Sequence, residues 1–388
     1  MIKMLNACTA EIDDVDAAVN SIQGQLNLSR ELLSNSVGII ACHYEFINTG
    51  MVEELCKRLP FPVVGCTTLG NAAKDECGVE LLSISVLTSD DVVFSTAMSG
   101  ELDPADILPA VSAVYKQALE GLGGEPALIL AYAPLMLSLG ASPIIKAINS
   151  LGGGIPVFGA ISCDSSPDYH ASKVIHNGTA AAKTLALVLL KGNVKPQFYV
   201  NTIPEADIRQ LAAVVTDSDG CLIKKVNDMP FLDYLESVGV SKEGVRASSG
   251  AFPIIADYND GSKPTGLAIY STTPEGYALL GGEIPVGSTI AMANMDYKGV
   301  LETAVEAVKK AIAPGNVSGL LMYPCLTRNL ALGANTDDEM KAIVKTLEGK
   351  YPYQFCYAGG EICPVYTGDG KLMNRAHNLT YIICVFYE

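Results

Sequence analysis

The sequence predicts a mixed α/β (α+β) fold built as two pseudo-repeated halves, each a mixed β-sheet flanked by helices. Three observations carry this. Strand-length apolar runs alternate with segments of helical period. The order strand, helix, strand, helix, strand occurs in both halves. Three segments of the first half also align with three of the second: residues 128–134 with 320–324, residues 157–163 with 355–361, and His176-Asn177-Gly178-Thr179 with His377-Asn378-Leu379-Thr380. The last two offsets are 198 and 201 residues, a drift that loop insertions produce.

Ile12, Val15, Val19, Ile22 and Leu26 recur at three- and four-residue spacings, so residues 12–33 read as an amphipathic helix. Residues 37–42 form an apolar strand. A helix over 49–59 stops at Pro60 and Pro62, and a strand over 62–66 follows. Residues 81–87 and 92–98 read as a strand pair turning at Ser89-Asp90-Asp91. A helix over 104–122 takes Asp103 as its N-cap. A strand at 127–133, a helix from Ser142-Pro143 to 151 and a strand at 157–161 come next, then a strand pair at 173–175 and 184–190. The linker-like Gly192-Asn193-x-Lys195-Pro196 sets the domain boundary, giving domains of residues 1–196 and 197–388. Beyond it come a hairpin at 214–226, a helix at 230–238, and strands at 246–257, 265–270 and 277–281. The repeat order then returns as strand 289–295, helix 298–313, strand 319–323, helix 337–347, strand 354–357 and the closing strands.

Composition narrows the function classes. A chain of 388 residues has the length for two domains with real cores. A hydrophobic share of 49% is incompatible with a disordered chain. A net charge of −16 argues against a nucleic-acid surface, which needs clustered Lys and Arg. No apolar run reaches bilayer length, and the N-terminus lacks a signal-peptide core, so membrane insertion is not expected. The 11 cysteines are scattered, without Cys-x-x-Cys or zinc spacing, as suits reduced thiols in a cytoplasmic protein.

Residues 353–386 hold the densest polar chemistry. Gly359 and Gly360 allow a close backbone approach. Glu361, His377 and Asn378 stand at the ends of apolar strands, where polar groups need partners and a ligand is one such partner. The His-Asn-x-Thr segment is either a turn that bonds its own backbone or a polar wall of a cleft. Upstream, Cys325 and Arg328 follow a strand end. Arg328 suits a ligand carboxylate, or else a salt bridge to Glu361 or Glu339. Cys325 is either an inert buried thiol or a nucleophile with His377 as base and Glu361 as orienter. In the first half, Cys66 and Thr67 within Gly65-Cys66-Thr67-Thr68-x-Gly70 also follow a strand, where backbone N–H groups can bind an anion. No Walker loop, dinucleotide fingerprint or nucleophile elbow is present.

Gly360-Glu361-Ile362-x-Pro364, His377-Asn378-x-Thr380 and the terminal apolar strand resemble the C-terminal signature of the FIST family. Pro324-Cys325-x-x-Arg328, Leu332-Gly333 and Glu339 are similar to the same family's Cys-x-x-Arg…Leu-Gly…Glu segment, and Val63-Val64-Gly65-Cys66-Thr67-Thr68-x-Gly70 resembles its N-terminal motif. The resemblance implies a FIST_N-like domain over 1–196 and a FIST_C-like domain over 197–388, in a bacterial-type sensory module of signal transduction. It implies a small ligand, amino acids among the class. With no output domain expected after Glu388, it also implies signalling through a separate protein such as a histidine kinase. The ligand set expected from motif and resemblance is Cys325, Arg328, Gly359, Gly360, Glu361, His377, Asn378 and Thr380, with Cys66, Thr67, His176 and Asn177 in the first half. Seven of these, Cys325, Arg328, Gly359, Gly360, Glu361, His377 and Asn378, are expected to converge on one cleft. A haem-based nitric-oxide sensor is an alternative, with His377, His176 or a cysteine as axial ligand. A Cys-His enzyme is another.

Overall fold

The computed structural model describes residues 1–204, 208, 213–247 and 252–388. It is a mixed α/β fold, with mixed sheets flanked by helices as expected. One unit of structure occurs three times, twice before residue 196 and once after it.

The first unit comprises β1 (Lys3–Thr9), α1 (Val15–Leu26), α2 (Leu28–Glu31), β2 (Asn35–Cys42), α3 (Glu45–Asn48), α4 (Met51–Arg58), β3 (Val63–Thr67), the hairpin β4 (Asn71–Ala73) and β5 (Glu76–Gly78), and β6 (Leu82–Ser89). The second comprises β7 (Val93–Met98), α5 (Leu108–Leu122), β8 (Leu128–Ala133), α6 (Ser142–Gly152), β9 (Val157–Ile161), the hairpin β10 (Val174–His176) and β11 (Thr179–Ala181), and β12 (Ala186–Lys191). The third opens with β13 (Gln197–Asn201) and is then interrupted by an inserted β domain. That domain contains β14 (Ala213–Asp219), β15 (Leu222–Val226), β16 (Met229–Pro230), α7 (Phe231–Ser237), α8 (Lys242–Ala247), β17 (Ile254–Asp257), β18 (Thr265–Leu267), β19 (Ile269–Thr272), β20 (Ala278–Leu280) and β21 (Thr289–Met292). The third unit resumes with α9 (Tyr297–Ile312), β22 (Val317–Pro324), α10 (Leu326–Ala331), α11 (Asp338–Leu347), β23 (Tyr353–Cys356), the hairpin β24 (Glu361–Tyr366) and β25 (Leu372–His377), and β26 (Tyr381–Tyr387).

Each unit builds one sheet and lends its hairpin to another. The sheet orders are β1-β6-β2-β3-β10-β11, β7-β12-β8-β9-β24-β25 and β13-β26-β22-β23-β4-β5. The pairs β2–β3, β8–β9 and β22–β23 are parallel. The hairpin of the second unit extends the first sheet, that of the third extends the second, and that of the first extends the third. The exchange closes on itself. The loop at 192–196 lies between the second and third units, and strands from both sides of it share two of the sheets.

The unbroken apolar runs follow from burial on both faces. Val37, Ile39 and Ala41 of β2, Leu128, Leu130 and Tyr132 of β8, and Leu321 and Tyr323 of β22 meet in one central core. There the Tyr132 and Tyr323 hydroxyls bond at 2.8 Å. The alternate residues face outward beneath the helices: Ile40 under α1 and α4, Ile129 under α5 and α6, Leu320 under α9 and α11. Asp14 caps α1 and Asp296 caps α9, each accepting a backbone N–H with its side chain. The insert has a core of its own.

Several sequence expectations are corrected. Residues 81–98 are not a hairpin, because β6 pairs with β1 and β2 while β7 pairs with β12 in another sheet. Nor do the strands expected at 173–175 and 184–190 pair, since β10 bonds to β3 and β11 while β12 bonds to β7 and β8. The helix expected from 104 starts at Leu108. The strand expected over 246–257 is α8 up to Ala247 and β17 from Ile254, with residues 248–251 outside the described set. The alignments of 128–134 with 320–324 and of 157–163 with 355–361 join strands that hold the same place in their units. The His-Asn-x-Thr alignment does not: His176 ends the first strand of its hairpin, whereas His377 ends the second strand of its own.

Candidate functional site

The insert stands over the carboxyl ends of β8 and β22, and a cleft of about 1010 Å³ lies between them. Cys325, Gly359 and Asn378 line the frame side. Their neighbours explain why. Cys325 follows Pro324 at the end of β22, its N–H donating to the Thr380 carbonyl at 2.9 Å, and it starts the short helix α10. The Thr327 hydroxyl donates to its Sγ at 3.1 Å. Gly359 receives the Tyr270 hydroxyl at 3.3 Å from the insert side. Asn378 joins insert to frame: its N–H donates to Gly266 O at 2.9 Å and its Oδ1 accepts from Ala268 N at 3.2 Å. It is wedged among three glycines. A Cβ on Gly281 would stand 2.1 Å from Asn378 Oδ1, one on Gly266 2.2 Å from its carbonyl, and one on Gly360 2.7 Å from its Nδ2. Gly360 also has φ 153°, which disfavours side chains.

Glu361 and Thr380 form the layer behind Cys325. Both are fully buried. The Thr380 hydroxyl donates to Glu361 Oε2, and Oε1 has no hydrogen-bond partner. Burial pushes the Glu361 carboxyl well above the usual range, with contacts from Thr380 and the Cys325 thiol opposing the rise. Burial and the neighbouring Glu361 push the Cys325 thiol up in turn. Burial thus disfavours the charged form of both groups.

The remaining expected residues stand elsewhere. Arg328 lies within the core, with no exposed surface. Its Nε and Nη2 donate to Glu339 Oε1 at 2.9 and 2.7 Å, and further bonds reach Thr202 O, Val300 O and Thr303 Oγ1. Tyr357 holds the other Glu339 oxygen at 2.8 Å. A ligand carboxylate is thus not the partner of Arg328, because Glu339 already is. His377 is buried, its Nε2 within 3.1 Å of Cys363 O and its Nδ1 unpartnered, and burial pushes it down to about 4. It bonds neither Cys325 nor Glu361, so no nucleophile–base chain is assembled. Cys66 and Thr67 are buried where β3 meets β10, Thr67 exchanging bonds with Lys173. His176 bonds Thr96 Oγ1 at 3.0 Å. Asn177 turns the β10–β11 hairpin at φ 50° and accepts Val63 N–H at 2.9 Å. Neither His377 nor His176 lines the cleft.

Sequence reasoning missed the opposite wall. Asp168 and Tyr169 reach the cleft from the loop before β10, and Phe252, Tyr270, Met292 and Asn294 from the insert. Tyr270 and Met292 fall within strands expected from the sequence. The signal that separates them from core is the insert's position over the frame, which no local pattern carries.

A three-unit α/β frame thus carries an inserted β domain that roofs a cleft lined by both polar and apolar groups. The chain belongs to the FIST family: the FIST N domain matches residues 36–229 and the FIST C domain residues 231–364. FIST domains are sensory domains of signal transduction. No curated protein matches the chain. Among solved structures, a cyanuric acid hydrolase from A. caulinodans is similar over 100% of both chains at 9% identity, with a TM-score of 0.38. Another cyanuric acid hydrolase structure is similar at 10% identity over 67% of this chain and 82% of that one, with a TM-score of 0.27. PurL from T. maritima is similar at 11% identity over 99% of this chain and 72% of that one, with a TM-score of 0.20. TM-scores this low carry neither fold nor function to this chain. No helix among the described residues is long and apolar enough to cross a membrane.

Proposed function

We infer that the chain is a sensory module that binds a small molecule in the cleft between insert and frame. Its place is the cytoplasm, and it passes the event to a separate protein such as a histidine kinase. The observation behind this is the cleft itself: about 1010 Å³, with apolar walls and Cys325, Thr327 and Asn378 converging as polar groups. The family's sensory role supports the same reading. Asn378 links ligand to conformation, since it touches the cleft and bonds the insert to the frame. With Arg328 committed to Glu339, an amino acid bound here would use its amine and side chain more than its carboxylate. The Cys-His reading lacks comparable support because His377 stands outside the cleft, and of the axial candidates for haem only a cysteine, Cys325, lines it. Calorimetric titration with a metabolite set tests the proposal. One pool member should bind saturably, and Thr327→Trp, which places a bulky ring in the cleft, should weaken it by about tenfold or more. No saturable binding by any pool would end the reading.

A further inference from the structure

We propose that the cleft takes an organic cation, an amine on an apolar body, with Asp168 as counter-charge and Tyr169, Tyr270 and Phe252 as walls. This rests on the reading that the cleft binds a small molecule. The lining chemistry carries it. Asp168 is the only charged side chain among the described lining residues, and no Lys, Arg or His is among them. An anionic ligand would find no counter-charge among the described lining residues to offset its lost hydration. A cation meets the solvent-exposed Asp168 carboxylate and three lining aromatic residues, a ring type that attracts positive charge at its face. Met292 and Met295 add polarisable sulfur.

The second repeat invests in this arrangement. The link between β23 and its hairpin is residues 357–360, and between β3 and its hairpin residues 68–70. In the second unit the same link runs over 162–173. It carries two consecutive left-handed residues that are not glycine, Asp168 at φ 53° and Tyr169 at φ 54°. Such conformations are unfavourable and persist where surrounding bonds impose them. Those bonds are present: Asp164 Oδ1 accepts Ser166 N–H at 2.5 Å, Ser166 Oγ accepts Ala171 N–H at 3.1 Å, and Ser172 N–H donates to Tyr169 O at 3.1 Å.

Three matched probes test the charge preference: 2-phenylethylamine, 2-phenylethanol and 3-phenylpropionate, titrated at neutral pH into wild type and Asp168→Asn. Asparagine tolerates the left-handed conformation, so this variant keeps the loop. The amine should bind about tenfold or more tighter than the alcohol, and the propionate weakest. Asp168→Asn should bring the amine to the alcohol's affinity and leave the alcohol unchanged. Equal or tighter binding of alcohol or propionate overturns the proposal, as does an amine indifferent to Asp168→Asn. Absence of amine binding overturns it too, while the metabolite titration can still succeed, so the two readings fail separately.

Discussion

Arg328 and Glu339 are both without exposed surface, and each would be a large liability alone. Together with Tyr357 and the carbonyls of Thr202 and Val300 they form a satisfied network that pins α10 to α9 and α11. Removing one partner of a buried pair leaves an uncompensated charge. Arg328→Met should therefore cost about 3–5 kcal/mol of stability in urea unfolding, with Glu339→Gln added on top recovering part of it. A variant that kept full stability would contradict the network. His377 gives a second residue-scale expectation. Its folded value near 4 lies below the usual 6.5, so between those limits the unfolded chain holds the extra proton. His377 thus costs the fold nothing above pH 6.5, and stability drains away as pH falls from 6.5 toward 4, by roughly 3 kcal/mol at most. The difference in melting temperature between wild type and His377→Gln, followed from pH 7.5 to 4.5, should shrink or reverse on acidification; a constant difference would refute the buried neutral imidazole. Glu361 runs the other way, its raised value making it a growing burden as pH rises above the usual carboxylate range. From the sequence, these three side chains were recognisable as groups needing partners. Which partner each takes was not, because Glu339 and Glu361 both follow Arg328 in segments that sequence pattern does not place beside it, and only packing chooses between them.

At the scale of elements, most strands and helices were legible, since apolar runs and helical periods are local signals. Pairing was not. Ser89-Asp90-Asp91 has the chemistry of a tight turn, yet the strands on either side enter different sheets. A sequence pattern sees the turn and assigns a hairpin to it. Two glycines mark the same register in two sheets: Gly65 opposite Ile40, and Gly159 opposite Ala131. A Cβ at either would stand 1.8 Å from the carbonyl oxygen of that partner. Phe355 holds the matching place opposite Met322 in the third sheet, so the close approach belongs to the first two units only. Gly65→Ala and Gly159→Ala should each lower stability by about 1–3 kcal/mol or more, as core overpacking does, measured by denaturant midpoint with an unchanged slope. A neutral effect would mean that the strand pair relaxes freely.

For the whole molecule, the threefold plan has a sequence trace. Pro62, Pro156 and Pro352 each stand just before β3, β9 and β23, and their carbonyls accept Gly38, Ile129 and Leu320 N–H at 2.8, 3.0 and 3.1 Å. Three equivalent prolines are visible in the sequence, but the inserted β domain separates the third unit from the simple spacing of the first two. The repeated His-Asn-x-Thr drew attention to two copies instead. The cyclic exchange of hairpins makes the frame interdependent: β23 needs β4 from the first unit, and β9 needs β24 from the third. A fragment of residues 1–196 keeps β1 to β12 but leaves β9 with an unpaired edge and the β4–β5 hairpin without its sheet. It also exposes the central core, to which Leu321, Tyr323, Ile382 and Cys384 contribute from the other side. Open apolar faces and unpaired edges favour aggregation over a unique fold. The fragment alone should therefore lack a cooperative thermal transition and bind a hydrophobic dye, whereas the full chain should melt as one unit in calorimetry. Co-expression with residues 197–388 should restore a complex that co-purifies and melts cooperatively. A 1–196 fragment that is monomeric and unfolds in a sharp two-state transition would show that hairpin exchange decorates the frame and does not hold it.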